Sequence, residues 1–199
     1  MARTQGSHSG ITGPRIQDAA LQLFAQHGFA AVSMRQIARE VGVQAGALYL
    51  YTADKQSLLF DLLDEHMKDL LDAWEGRMTP HEITPIDQLE RFVRFHIRFH
   101  LPRADEVFIS YMELRNLTPE NFEVIQNARR TYEAILHDIL SAGQTDGTFK
   151  VSDTKVATYA IIAMLTGMNT WYRDEGRLSL DMIEEIYLDL VLSAAGATP

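Results

Sequence analysis

His96 and His100 stand one helical turn apart, the clearest metal-ligand spacing in the chain. An H-x-x-x-H pair on one helix face can hold zinc or iron when a third ligand converges, and Glu106 or Glu113 could supply it. Such a centre would make the protein a metal-binding helical-bundle enzyme. That reading also requires inward-facing Glu-x-x-His pairs, which the sequence lacks. The two histidines serve equally as hydrogen-bonded core residues, so no metal is assigned. There is no glycine-rich phosphate loop, no G-x-S-x-G elbow and no cysteine nucleophile, so no enzyme activity and no cofactor are expected.

The same region mixes aromatic and basic residues. In RFVRFHIRFHLPRADEVFISYMELRN, Phe92, Phe95 and Phe99 share one helical face and Arg91, Arg94 and Arg98 another; Phe108, Tyr111 and Arg103 follow. One reading is a core stripe beside a solvated basic face. The other is an apolar pocket with a cationic rim, suited to an amphipathic anion such as a fatty acid or acyl-CoA. A cationic lipophilic ligand would instead need acidic and aromatic residues, which Glu113, Tyr111 and Trp171 could provide.

A third set lies near the N-terminus, in SMRQIAREVGVQAGALYLYTADK. Tyr49, Tyr51, Ser33 and Lys55 carry donors suited to phosphates, and Gln44 is suited to a bidentate contact with adenine. Ala45 and Gly46 are small enough for close backbone approach to a duplex. With Arg15, Met34 and Arg35 they make up the expected DNA-binding set.

Charge distribution is compatible with this. The net charge is −9, yet the first 55 residues hold five basic and three acidic side chains, against thirteen and twenty-four in the remainder. Only the head suits a polyanion. No apolar run approaches the roughly 18 residues that span a membrane. The leader MARTQGSHSGITGP lacks the apolar stretch of a secretory signal and reads as a flexible arm. The absence of cysteine fits a reducing cytoplasm.

The elements that must position these residues are all helices. Ile16, Ala19, Ala20, Leu23 and Phe24 share a face that ends at His27-Gly28, and Ser33 caps a second helix broken at Gly42. A short helix follows from about Gln44 to Leu50, and Asp54 caps a long amphipathic one. The stretch GRMTPHEITP marks a break, with helix resuming over Leu89–Leu101 and again from Asp105 to Leu114. Thr118-Pro119-Glu120 starts a helix to about Ala142. Two apolar helices, near Asp153–Trp171 and Ser179–Ala194, close the chain. The fold class is all-α, with a helix-turn-helix head over 1–55 and a helical body over 56–199.

Two helices pinched at a glycine turn, with a third covering their shared face, make a helix-turn-helix whose second helix can enter the major groove. The residues go further. The chain resembles the TetR family of transcriptional regulators, whose pattern F-x-x-x-G, S/T-x-x-x-I-A, G-V-S/T-x-G-A-L-Y and K-x-x-L is met here by specific positions. These are Phe24 and Gly28; Ser33, Ile37 and Ala38; Gly42 through Tyr49; and Lys55 with Leu58. Two positions depart: Gln44 replaces the usual Ser/Thr cap, and Tyr51-Thr52 replaces His-Phe, so packing there must differ.

The resemblance implies a homodimer on a palindromic operator, usually a repressor, released by a small molecule bound in the body. The C-terminal half is similar to the branch that senses acyl-CoA thioesters. This implies an effector site among Phe95, Phe99, Phe108, Met112, Arg115, Asn116, Met164, Met168 and Trp171. The last two helices are apolar over wide arcs, which asks for a second packing partner. A dimer through a four-helix bundle supplies one, with Val156, Ala157, Ala160, Ile161, Met182, Ile183, Ile186, Tyr187 and Leu190 at the interface.

Overall fold

The computed structural model describes residues 9–76 and 84–197, with side chains from residue 12 onward. Every regular element among them is helical. Helix α1 spans Ser9–His27, α2 Met34–Val41, α3 Ala45–Leu48, α4 Lys55–Glu75, α5 Pro85–His100 and α6 Ala104–Met112. They are followed by α7 over Pro119–Asp146, α8 over Thr154–Thr166, α9 over Met168–Trp171 and α10 over Leu180–Ala194. Short 3₁₀ turns occupy Phe29–Ala31, Leu101–Arg103 and Leu114–Asn116. Among the described residues no helix is long and apolar enough to cross a membrane.

Local chemistry sets most boundaries. Ser33 and Gln36 form a reciprocal capping box at the start of α2, and Gly42 ends that helix in the left-handed conformation at φ 77°, ψ 31°. Asp54 accepts the Ser57 N–H at 2.7 Å to start α4. Asp153 and Ser179 accept backbone N–H groups at the heads of α8 and α10.

Several boundaries differ from the sequence reading, among them the helix read near Asp153–Trp171, which is two helices, α8 and α9, meeting at Gly167. Helix α1 begins at Ser9, inside the leader read as an arm; residues 1–8 lie outside the described residues. Helix α5 begins at Pro85 rather than Leu89, because Thr84 and Asp87 form a second capping box with proline at the first helical position. Helix α7 runs past Ala142 to Asp146. Gly143 lets it pass there, since a Cβ at that position would overlap the Phe149 ring.

The chain forms two compact units that do not follow a division at residue 55. One joins the residues up to Lys68 with Asp105–Gln126; the other joins Asp69–Ala104 with the chain from Asn127 onward. The reason is topological: the middle of the body returns to pack with the head. In the first unit α1 packs on α2, and α2 on α3. Ile16, Ala20, Phe24, Ile37 and Leu48 are buried, with the Phe24 and Phe29 rings 5.3 Å apart. In the second, α5 packs on α8 and α10. Trp74 sets its edge against Phe92 and Phe95 at 5.6 and 5.2 Å, and Phe95 lies 5.6 Å from Phe99.

Candidate functional site

The surface expected to meet DNA is built from a firmly seated corner and an exposed rim. Leu48 is fully buried and anchors α3, while Tyr49 and Leu50 stand 56% and 83% exposed. Gln44 occupies the N-cap of α3 in extended geometry and makes no side-chain cap bond, so its amide is available for another partner. Gly46 is exposed, and nothing lies within 4 Å of where its Cβ would be. Tyr51 and Arg35 are exposed; Met34 and Ala45 are partly so. Thr52, where the family pattern has an aromatic, is buried and donates its hydroxyl to the Asp54 carbonyl at 3.0 Å.

Three residues of the expected DNA set have structural work of their own. The Ser33 side chain belongs to the α2 capping box. Arg15 of α1 donates to the Val41 carbonyl at 2.8 Å, closing the last turn of α2. Lys55 donates to the carbonyls of Phe29 and Val32, both at 2.7 Å, and its ammonium sits 4.2 Å from the Phe29 ring centroid. Burial pushes that ammonium below its ordinary pKa. Lys55 thus pins the turn that leads into α2, a role that sequence spacing alone assigned to phosphate. Lys55→Met should therefore lower head stability by about 2 kcal/mol, the scale of two charge-assisted bonds in a part-buried site. Urea unfolding monitored by circular dichroism measures the loss; an unchanged midpoint would return Lys55 to a surface role.

Leu50 was absent from the expected DNA set. Its exposure had a signal: an apolar residue between two tyrosines, two positions beyond the buried Leu48, points outward on a helical turn.

The residues expected to hold an effector are shared between the two units. Phe108, Met112, Arg115 and Asn116 belong to the first, and Phe95, Phe99, Met164, Met168 and Trp171 to the second. Phe95, Phe99 and Met168 are buried, Met164 is half-buried, and Phe108, Met112, Arg115 and Trp171 are exposed. Asn116 is half-buried, its side-chain amide on Glu113. The Trp171 ring stacks on Tyr187 at 6.2 Å.

The arginine-rich face of α5 is neutralised rather than open. Arg98 grips both oxygens of the fully buried Glu184 at 2.6 and 2.7 Å and reaches Asp181 at 3.2 Å. Arg94 binds Glu90, Glu185 and, at 3.4 Å, Glu184. These carboxylates raise both guanidinium pKa values. Arg103 donates to the Phe99 carbonyl and lies 4.1 Å from the Phe99 ring. The cationic rim inferred from sequence is therefore largely an inter-helix clamp.

Arg98 also lines a cavity of about 450 Å³ with Leu101, Pro102, Ala104, Asn169, Tyr172, Arg173, Asp174 and Leu180. The Asn169 Oδ1 is buried without a hydrogen-bond partner, although its Nδ2 donates to the Thr166 carbonyl. Asn169, which lines this cavity, was absent from the expected effector set because MNTWYRDEG shows no chemistry of its own.

The histidine pair is a core network. His96 Nδ1 and Nε2 lie 3.0 Å from the hydroxyls of Tyr132 and Thr166 respectively, and His100 Nδ1 bonds the His96 carbonyl at 2.8 Å. The two rings stack with centroids 4.1 Å apart. Burial pushes the His96 pKa well down, and that of His100 down to about 4, so both are neutral near pH 7. Both His96 nitrogens are thus occupied by hydroxyls. Glu106 and Glu113 belong to the other unit, and among the described residues no group of three candidate ligands converges.

The outer faces of α8 and α10 are apolar and open. Val156 is 64% exposed and Met182 54%, with Ala160, Ile186 and Leu190 also exposed and Ala157 and Tyr187 half-buried. Ile161 and Ile183, expected on the same surface, are buried.

Comparison with known proteins places this geometry. Residues 16–62 match the family described as bacterial regulatory proteins, tetR family, and residues 82–195 the tetracyclin repressor-like C-terminal domain. The chain is similar to the fatty acid metabolism regulator protein of Bacillus subtilis, 25% identical across 90% of this chain and 93% of that one. It is similar in structure to a tetR-family bacterial regulatory protein from Rhodococcus RHA1, with TM-score 0.85 and 28% identity over 94% of this chain and 98% of that one. It also shares its fold with AibR in complex with isovaleryl coenzyme A and operator DNA, with TM-score 0.77 and 23% identity over 94% of this chain and all of that one. With one family match spanning more than half of its length and the other its helix-turn-helix, the protein belongs to the TetR family of bacterial transcriptional regulators.

Proposed function

We propose that the protein is a homodimeric repressor that an acyl-CoA or similar amphipathic anion releases from operator DNA. The observation that carries the DNA half is the rim of Gln44, Tyr49 and Tyr51, exposed and with the Gln44 amide making no cap bond, on a corner held by Leu48, Arg15 and Lys55. Gln44 reads bases there; Tyr49 and Tyr51 hold phosphates, supported by Arg35. The open apolar faces of α8 and α10 support the dimer, since burying Val156, Met182, Ile186 and Leu190 against a second copy removes them from water. Two heads then meet successive major grooves when their reading helices stand roughly 34–36 Å apart.

The cavity beside Arg98 and Arg173 supports the effector half. Arg173 suits an anionic group. The similar proteins add a fatty-acid regulator and a coenzyme A thioester complex. A cationic effector is less suited, because both carboxylate oxygens of Glu113 already accept hydrogen bonds from Phe29 and Asn116. An effector shifts the equilibrium only by its differential affinity for the two shapes.

Fluorescence anisotropy on operator duplexes selected from random DNA, titrated with acyl-CoAs of graded length, tests both halves. Release by one chain-length class is expected; binding that no thioester disturbs would discard the effector. On the same duplexes, Gln44→Ala should flatten base preference by about 10-fold at one operator position, while Tyr49→Phe should weaken all sequences alike.

A further inference from the structure

The corner between α1 and α2 aims the reading helix, and one residue holds it from far along the chain. After α1 the backbone turns through Gly28, at φ 80°, into the 3₁₀ turn Phe29–Ala31 and then the Ser33 cap. Phe29 is gripped on both sides. Its carbonyl accepts Lys55 Nζ, and its N–H donates to Glu113 Oε1 at 3.2 Å, 84 residues away. Gly28 is favoured there by its positive φ, and a Cβ at that position would meet Glu113 Oε1 only at an ordinary contact distance of 3.4 Å.

Glu113 is 5% exposed, and among the described residues no basic group pairs with it. Its second oxygen accepts Asn116 Nδ2 at 2.5 Å. The Asn116 carbonyl in turn accepts Gln56 Nε2 from α4, whose Oε1 is buried without a partner. A carboxylate this buried, satisfied by two donors and no cation, is expensive to keep for packing alone. It is also geometrically demanding. Its two oxygens must meet Phe29 N–H and the Asn116 amide at once, so displacing the α6–α7 connection breaks bonds rather than bending them. That connection belongs to Asp105–Gln126, which packs with the head but enters from and returns to the other unit along the chain.

We propose that Glu113 is a positioning residue for operator binding: from the α6–α7 connection it fixes the α1–α2 corner, so that segment 105–116 and operator DNA bias one another. By reciprocity, any state of the segment that alters operator affinity is itself altered by operator to the same degree. The inference rests on DNA binding and is independent of which effector is bound.

Hydrogen exchange on the full chain, with and without a duplex selected from random DNA, tests it. In the wild type the duplex should slow exchange at Phe29 and over 105–116 at least 10-fold. In Glu113→Ala it should still slow α2 and α3 but no longer 105–116, with operator affinity about 10-fold weaker and base preference kept. Glu113→Gln retains the acceptor for Phe29 and should restore affinity to within about 3-fold of wild type. Operator-dependent slowing of 105–116 that persists in Glu113→Ala, or that is missing in the wild type, overturns the proposal. If Glu113→Ala does not fold, Glu113→Gln decides: the lost charge must speed Phe29 exchange at least 3-fold, and no change overturns it. If no duplex is selected, the DNA reading fails separately. The corner claim then stands or falls on whether residues 29–37 of the free Glu113 variants exchange at least 3-fold faster while α10 is unaffected.

Discussion

Arg98→Met should lower the stability of the protein by about 2 kcal/mol, with the urea midpoint falling and the m-value unchanged. The residue is half-exposed, and by that alone its ion pairs would be worth little. Its partner decides otherwise. Glu184 is fully buried, and Arg98 meets both of its oxygens in the bidentate geometry that guanidinium favours. Without Arg98, the carboxylate keeps only the 3.4 Å contact from Arg94, which also serves Glu90 and Glu185. Removing one partner of a buried pair costs roughly 3–5 kcal/mol; the exposure of Arg98 and the remaining Arg94 reduce that figure. The double variant Arg98→Met/Glu184→Leu should recover most of the loss, because no uncompensated charge is left behind. A loss under about 0.5 kcal/mol for the single variant would place the pair among ordinary surface bridges. Protein concentration must be held fixed, since association would shift the midpoint.

The second large effect is acid lability centred on the stacked histidines. Both have depressed pKa values in the folded protein, so the folded state refuses protons that the unfolded chain accepts near pH 6.5. Stability is thus intact above pH 6.5 and falls as the pH drops from 6.5 toward the folded value, about 4 for His100. At pH 5, His100 alone should cost about 2 kcal/mol relative to pH 7.5, with His96 acting in the same direction. His100→Leu should flatten this limb whatever it does to stability at pH 7.5, because the titrating group is gone. Unfolding midpoints at pH 7.5, 6 and 5 for the two proteins measure the difference; parallel curves would show that His100 does not carry it.

Much of the fold was legible, because its boundaries are written in local chemistry. Ser33, Gly42, Asp54 and Thr118-Pro119 mark helix ends at the positions where the helices stop or start. Thr84-Pro85 uses the same grammar but stood inside a stretch whose prolines looked like a break, so the start of α5 was placed four residues late. The exposure of Gln44, Tyr49 and Tyr51 was legible too, since they lie within one turn-and-helix unit. What sequence could not supply is pairing over distance. The arginines of α5 looked solvated because Glu184 lies 86 residues from Arg98 and 90 from Arg94. Yet Glu184, Leu188 and Val191 fall on one helical face and are all buried, so an acid on the inner stripe of α10 already required a cation. Lys55 likewise looked like a phosphate ligand because its partners, the carbonyls of Phe29 and Val32, have no signature in sequence.

The return of Asp105–Gln126 to the head also bears on how such regulators can be recombined. A splice that joins residues 1–68 to the body of another family member would carry the whole recognition motif and leave its brace behind, with Phe29 N–H facing a stranger's side chain. A functional chimera must exchange two separated pieces of chain together, or restore a carboxylate where Glu113 stood. The stretch that reads DNA and the stretch that can be inherited as a module are therefore different lengths of the same polypeptide.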